Sequence, residues 1–152
     1  MKNLIHKTSL AAALGALLIG GAFAQAAAAL PPVHKSGQVE YLSGGIGQDE
    51  AKAIETASRQ WPLTLEFAVK DKQKADFAAD VKVKVMVRDA KGHAALQARA
   101  GGPFLLVRLA PGHDAVDATL AGKTLHEKVL VKHGQPAKAV FVWPAGTGES
   151  RS

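Results

Sequence analysis

From residue 61 onward the chain alternates apolar and polar side chains with a period of two. In WPLTLEFAV, Trp61, Leu63, Leu65, Phe67 and Val69 fall on one face and Thr64, Glu66 and Ala68 on the other. In DVKVKVMVRD, Val81, Val83, Val85 and Val87 oppose Lys82, Lys84, Met86 and Arg88. Successive strand side chains point to opposite faces, so both segments predict half-buried strands, each with one solvated face. Five further segments, 94–100, 104–109, 115–120, 124–132 and 137–143, are separated by the breakers GGP, APGHD, AGK and HGQP, with DAKGH before the first. The Pro111-Gly112 pair in APGHD predicts a type II turn, with glycine where a positive φ is needed. Strands recurring at this spacing predict an all-β, antiparallel fold, a small sandwich or barrel.

Upstream the period changes. Residues 48–60 bring Ala51, Ile54, Ala57 and Ser58 to one side at three-to-four spacing, which predicts a short helix with a narrow apolar face. Residues 25–47 hold no sustained period, and LPPVHKSG adds two prolines and a glycine, so this stretch reads as an extended leader. Its last part, YLSGGIGQDE, concentrates Gly44, Gly45 and Gly47 just before the helix. A phosphate loop requires a lysine and a hydroxyl residue after its last glycine, and neither follows Gly47. A dinucleotide fingerprint requires a third glycine where Glu50 stands. Asp49 and Glu50 suit the positive end of a helix dipole and would repel phosphate. A turn into the helix is the expected role, with ligand binding at Gly44, Gly45 and Gly47 as the alternative.

The N-terminus brings in a compartment. Lys2 and Lys7 precede an uncharged apolar run over residues 10–24. That run is about fifteen residues, short of the roughly twenty that span a bilayer. A secretory signal peptide is therefore expected, cleaved after Ala22-Phe23-Ala24 or within the alanines up to Ala29, leaving no membrane span and a periplasmic or secreted product. The expected organisation is signal peptide 1–24, leader 25–47, helix 48–60, β domain 61–144 and a disordered tail 145–152. Loss of Lys2 and Lys7 lowers the Lys and Arg total from 19 to 17 against 13 Asp and Glu, and the net charge from +6 to +4. That mild excess, without a dense basic cluster or stacking aromatics, predicts no nucleic-acid partner. The chain contains no cysteine, so one hydrophobic core must hold the exported domain without disulfides, and thiolate metal sites and thiol nucleophiles are excluded. A monomer is expected.

The stretch 63–143 resembles the carboxypeptidase regulatory-like domain, a transthyretin-like (prealbumin-like) family. The residues that carry the likeness are ADVKVKVMVRDAKGHAAL (79–96), GGPFLLVRLAPGHDAVDATLAGKT (101–124) and AKAVFVW (137–143). The lead-in SGGIGQDE (43–50) is similar to the start of small exported proteobacterial proteins with that domain. The resemblance implies a seven-stranded antiparallel β-sandwich acting as a non-catalytic binding or accessory module, with no cofactor. Asp114 departs from the family pattern, which commonly has an aromatic there, and its parity with Val116, Ala118 and Leu120 turns a carboxylate toward the core side. The hydroxyisourate hydrolases share the fold but end in Tyr-Arg-Gly-Ser, whereas this chain ends Glu149-Ser150-Arg151-Ser152.

Catalytic chemistry finds no support, since no serine sits in a Gly-x-Ser-x-Gly elbow and no nucleophile, histidine and acid recur in a recognisable order. The histidines of the mature chain, His34, His93, His113, His126 and His133, lack a zinc spacing, and three of them (His93, His113 and His133) fall at predicted turns, so no metal is expected. The candidate binding surface is the basic face of Lys82, Lys84 and Arg88, extended by Arg99, Lys128 and Lys132. It suits an anionic envelope polymer or the acidic face of an envelope protein, against the plain alternative of a solvated sheet face guarded by lysines. An exposed sheet edge or residues 43–50 docking a partner protein is a further alternative.

Overall fold

The computed structural model describes residues 29–70, 75–77 and 83–148, with only the backbone of 75–77. The segment 1–24 expected to be a signal peptide, Val81, Lys82 and the last four residues lie outside the described residues. The described residues form ten strands and one helix. In chain order these are β1 (His34–Ser36), β2 (Val39–Gly44), α1 (Gln48–Ser58), β3 (Leu63–Lys70), β4 (Ala75–Phe77), β5 (Lys84–Arg88), β6 (Ala94–Arg99), β7 (Phe104–Val107), β8 (Gly112–Leu120), β9 (Lys123–Val131) and β10 (Ala137–Trp143). Seven of them, β3 and β5 to β10, lie within or against the segments the alternation marks. The other three make the count ten rather than seven. Two of these, β1 and β2, arise in the stretch read as a leader: β2 pairs with β7 from Tyr41↔Val107 to Gly44↔Phe104, which places residues 41–44 inside a sheet.

The strands divide into two sheets. Sheet A runs β1-β2-β7-β3-β10, with β4 pairing the end of β3, and sheet B runs β6-β5-β8-β9. All pairings are antiparallel except β3 with β10, which run parallel from Ala137↔Leu63 to Trp143↔Val69. The expectation of a wholly antiparallel fold is corrected there, because the chain reaches β10 only after completing sheet B and re-enters sheet A beside β3 in the same direction.

Both sheets contribute to one core. Leu63, Leu65, Phe67, Leu105, Val107, Phe141 and Trp143 of sheet A pack with Val85, Val87, Leu96, Val116, Ala118, Leu120 and Val129 of sheet B. The rings of Phe67, Phe141 and Trp143 lie with centroids 5.8–6.4 Å apart. The Trp143 indole also donates to the Lys123 carbonyl at 2.9 Å, tying β10 to the start of β9.

Sheet A is covered on its other face as well. Ile54 of α1 packs with Leu42, Trp61, Phe104 and Leu106 in a second cluster. Thr64 and Ala68, placed by alternation on a solvated face, are buried. Trp61 likewise belongs to this helix-side cluster rather than to the face of Leu63, because it precedes β3 in an irregular turn before Pro62. The unbroken apolar run FLLV of β7 is buried throughout, as a strand covered on both faces requires.

Turn chemistry sets the registers. Ala121 and Gly122 both take positive φ, 48° and 79°, joining β8 to β9 by a two-residue hairpin of the type I′ kind. Asp89 Oδ1 accepts from the Lys91 and His93 amides at 2.9 Å, closing the β5–β6 turn. The expected type II turn at Pro111-Gly112 is corrected: Gly112 has φ 152° and opens β8.

Candidate functional site

The outer face of sheet B carries the polar residues that alternate with the core. Three cross-strand rows can be followed from the registers. The first is Arg99, Lys84, Thr119 and Thr124; the second is Gln97, Met86, Asp117 and His126; the third holds Arg88, Ala115 and Lys128. A shallow depression of about 600 Å³ spans the first row and most of the second, and Arg88 of the third row and Tyr41 of sheet A also line it.

Charge is unevenly distributed over these rows. Arg88 Nη1 donates to Asp117 Oδ2 at 2.7 Å, and His126 Nδ1 lies 2.6 Å from Asp117 Oδ1. The His126 hydrogen bond, followed by the Arg88 hydrogen bond, holds the Asp117 carboxyl below its ordinary range. Arg88 is thus engaged by an acid on its own face. Lys84 and Arg99 are directly opposite one another, and among the described residues neither makes an ion pair. Like charges facing across strands oppose pairing. Beside them the hydroxyls of Thr119 and Thr124 contact each other at 2.7 Å. An anion lying along this row would relieve the repulsion and meet no carboxylate from the row itself.

The sequence candidates are therefore split. Lys84 and Arg99 stand together, Arg88 and Lys128 lie two rows away, and Lys82 lies outside the described residues. Lys132 is corrected from a sheet-face position: it follows the last residue of β9, in a turn closed by the Gln135 amide and the Lys132 carbonyl at 3.3 Å. The Asp117–His126 pair was not singled out from the sequence. Its signal was available, since a two-residue turn pairing Leu120 with Lys123 fixes Asp117 opposite His126.

The glycine segment is occupied by the chain itself. The Gly45 amide donates to Glu50 Oε1 at 2.7 Å, a reach-back from the first helical turn resembling a capping box. A Cβ on Gly44 would collide with the same carboxylate and with Pro31, and one on Gly45 would collide with Phe104. Gly47, at φ 88°, is the N-cap residue, and its carbonyl accepts from the Ala51 amide at 3.1 Å. All three glycines have structural reasons, and a carboxylate fills the turn that a bound anion would need.

His113 is corrected from a turn to β8, while His93 and His133 do lie in turns. Asp114 borders a hollow shared with Asp89, His93 and His113. Burial, and next the charge of Asp89, push its carboxyl above the ordinary range, with His113 opposing. Among the described residues no group of three or more His, Asp or Glu is placed to hold a metal ion. No helix among the described residues is long and apolar enough to cross a membrane. No family model matches the chain, and no curated protein matches it significantly.

Proposed function

We propose that this chain is an exported, non-enzymatic binding module of the cell envelope, a transthyretin-like β-sandwich of the carboxypeptidase regulatory-like kind, that takes an anionic polymer on the outer face of sheet B. Two sheets sharing one core support the fold reading, and the apolar run after Lys2 and Lys7 supports export. The observation that carries the binding reading is the unpaired opposition of Lys84 and Arg99 beside a Thr119–Thr124 hydroxyl pair. An open row of donors at the regular spacing of neighbouring strands suits a polymer of repeating charge. The acid of the neighbouring row is already engaged by Arg88 and His126, so it does not neutralise this one.

Retention on immobilised poly-L-glutamate across a salt gradient tests the proposal. The wild type is retained and released by added salt, as screening of exposed charges requires. Reversing Lys84 and Arg99 together abolishes retention, whereas Arg88→Gln weakens it less. Equal retention of wild type and double reversal would overturn the assignment.

A further inference from the structure

A second, concave site lies at one end of the molecule, apart from the sheet B face. Three connections meet there: residues 59–62 between α1 and β3, 108–111 between β7 and β8, and 132–136 between β9 and β10. They enclose a cavity of about 310 Å³. Its charged and ring-nitrogen side chains are Arg59, Arg108, Lys132 and His133; its apolar lining includes Trp61, Pro62, Pro111 and Pro136; no Asp or Glu lines it. The Arg108 guanidinium carbon sits over the Trp61 ring, 4.1 Å from its centroid, a cation–π contact. Glu40 approaches Arg108 through Nε at 3.3 Å from outside the cavity.

We infer that this cavity binds a small oxyanion, a carboxylate or phosphate carried on a compact apolar body. A guanidinium held by a ring contact offers its terminal nitrogens as donors to such a group, and Lys132 and His133 add charge and a further ring donor from another connection. The volume lies within the range of small-molecule sites. Pro62, Pro111 and Pro136, with the small exposed margin of Trp61, give the body of the ligand an apolar wall. Arg59 follows α1, where a cation is also favoured by the helix dipole, so its presence has a structural reason. Arg108, held by Glu40 and Trp61, and Lys132 lie on two separate connections away from that helix end. Both are exposed, and among the described residues Lys132 makes no ion pair.

The test is a titration of the ¹⁵N-labelled full chain with inorganic phosphate and, separately, with benzoate, each against chloride at equal ionic strength. The two indoles report independently, because Trp61 walls the cavity while Trp143 is buried in the main core. Saturable shifts of the Trp61 indole and the Gly134 amide, with Trp143 unmoved, are expected with at least one probe. Saturation by phosphate assigns the phosphate source and saturation by benzoate the carboxylate source. Arg108→Gln weakens binding about tenfold or more, as loss of a charge-assisted hydrogen bond does. Should that variant disturb the Trp61 stack, Lys132→Gln weakens binding several-fold with the spectrum otherwise unchanged, and Lys52→Gln, on an exposed turn of α1, leaves it alone. Linear shifts equal to those with chloride, or equal affinity in Lys132→Gln, would overturn the inference.

Discussion

Ala121 is the one non-glycine residue among those described with a positive φ, 48°, in the hairpin that sets the register of β8 and β9. An alanine in the left-handed region is strained, and type I′ hairpins favour asparagine before glycine. Ala121→Asn is expected to stabilise the protein by about 0.5–1 kcal/mol in urea denaturation. Two aspartates on β8, the strand that leads into this hairpin, act in opposite senses. The Asp114 carboxyl is raised above its ordinary value of 3.8, so its ionised form costs stability at every pH above the raised value, and the cost fades as pH falls below 3.8. Asp114→Asn therefore raises the thermal midpoint at neutral pH, and the gain vanishes near about pH 3. Asp117 is lowered from 3.8, so its contribution is present above that value and lost as pH falls through the lower folded value. Asp117→Asn lowers the midpoint at neutral pH and leaves it unchanged at strongly acid pH. A midpoint shift of the same sign for both variants would contradict these assignments.

At the scale of elements, α1 is held to sheet A through a small cluster in which Ile54 is its only fully buried side chain. Ile54→Ala removes that anchor and is expected to cost about 2–4 kcal/mol, with amide exchange rising first over residues 48–58. The helix itself was legible from the spacing of Ala51, Ile54 and Ala57, and so were the strands of sheet B, whose outer faces meet solvent and keep a clean alternation. Sheet A was less legible for a physical reason. Alternation reports one wet and one dry face, whereas β3 and β7 are dry on both, so Thr64 and Ala68 were misplaced although Phe104 to Val107 already formed an unbroken apolar run. Strands β1 and β2 escaped because prolines and glycines interrupt any period there, and their pairing with β7 is a long-range contact that no local pattern encodes. The basic face was visible as a set of lysines and arginines. Which of them is neutralised was not, since Arg88 meets Asp117 across β5 and β8 from 29 residues away in sequence.

For the whole molecule, these placements separate two positively charged regions with different shapes. One is an open row on sheet B centred on Lys84 and Arg99; the other is an end cavity between three connections. The glycine segment between β2 and α1 belongs to neither, being closed by Glu50 and by the approach of Gly102 to the Gly44 backbone. Gly102→Ala would force a Cβ onto the Gly44 carbonyl and is expected to cost about 1–3 kcal/mol, without altering polyanion retention at temperatures where it is folded. Anion binding on the outer face of sheet B is tested by amide shift mapping of the ¹⁵N-labelled full chain with poly-L-glutamate at low salt. Shifts centred on Lys84, Arg99, Thr119 and Thr124 are expected, and they disappear on reversal of Lys84 and Arg99. Shifts centred elsewhere, or unchanged by that reversal, would contradict binding at that face.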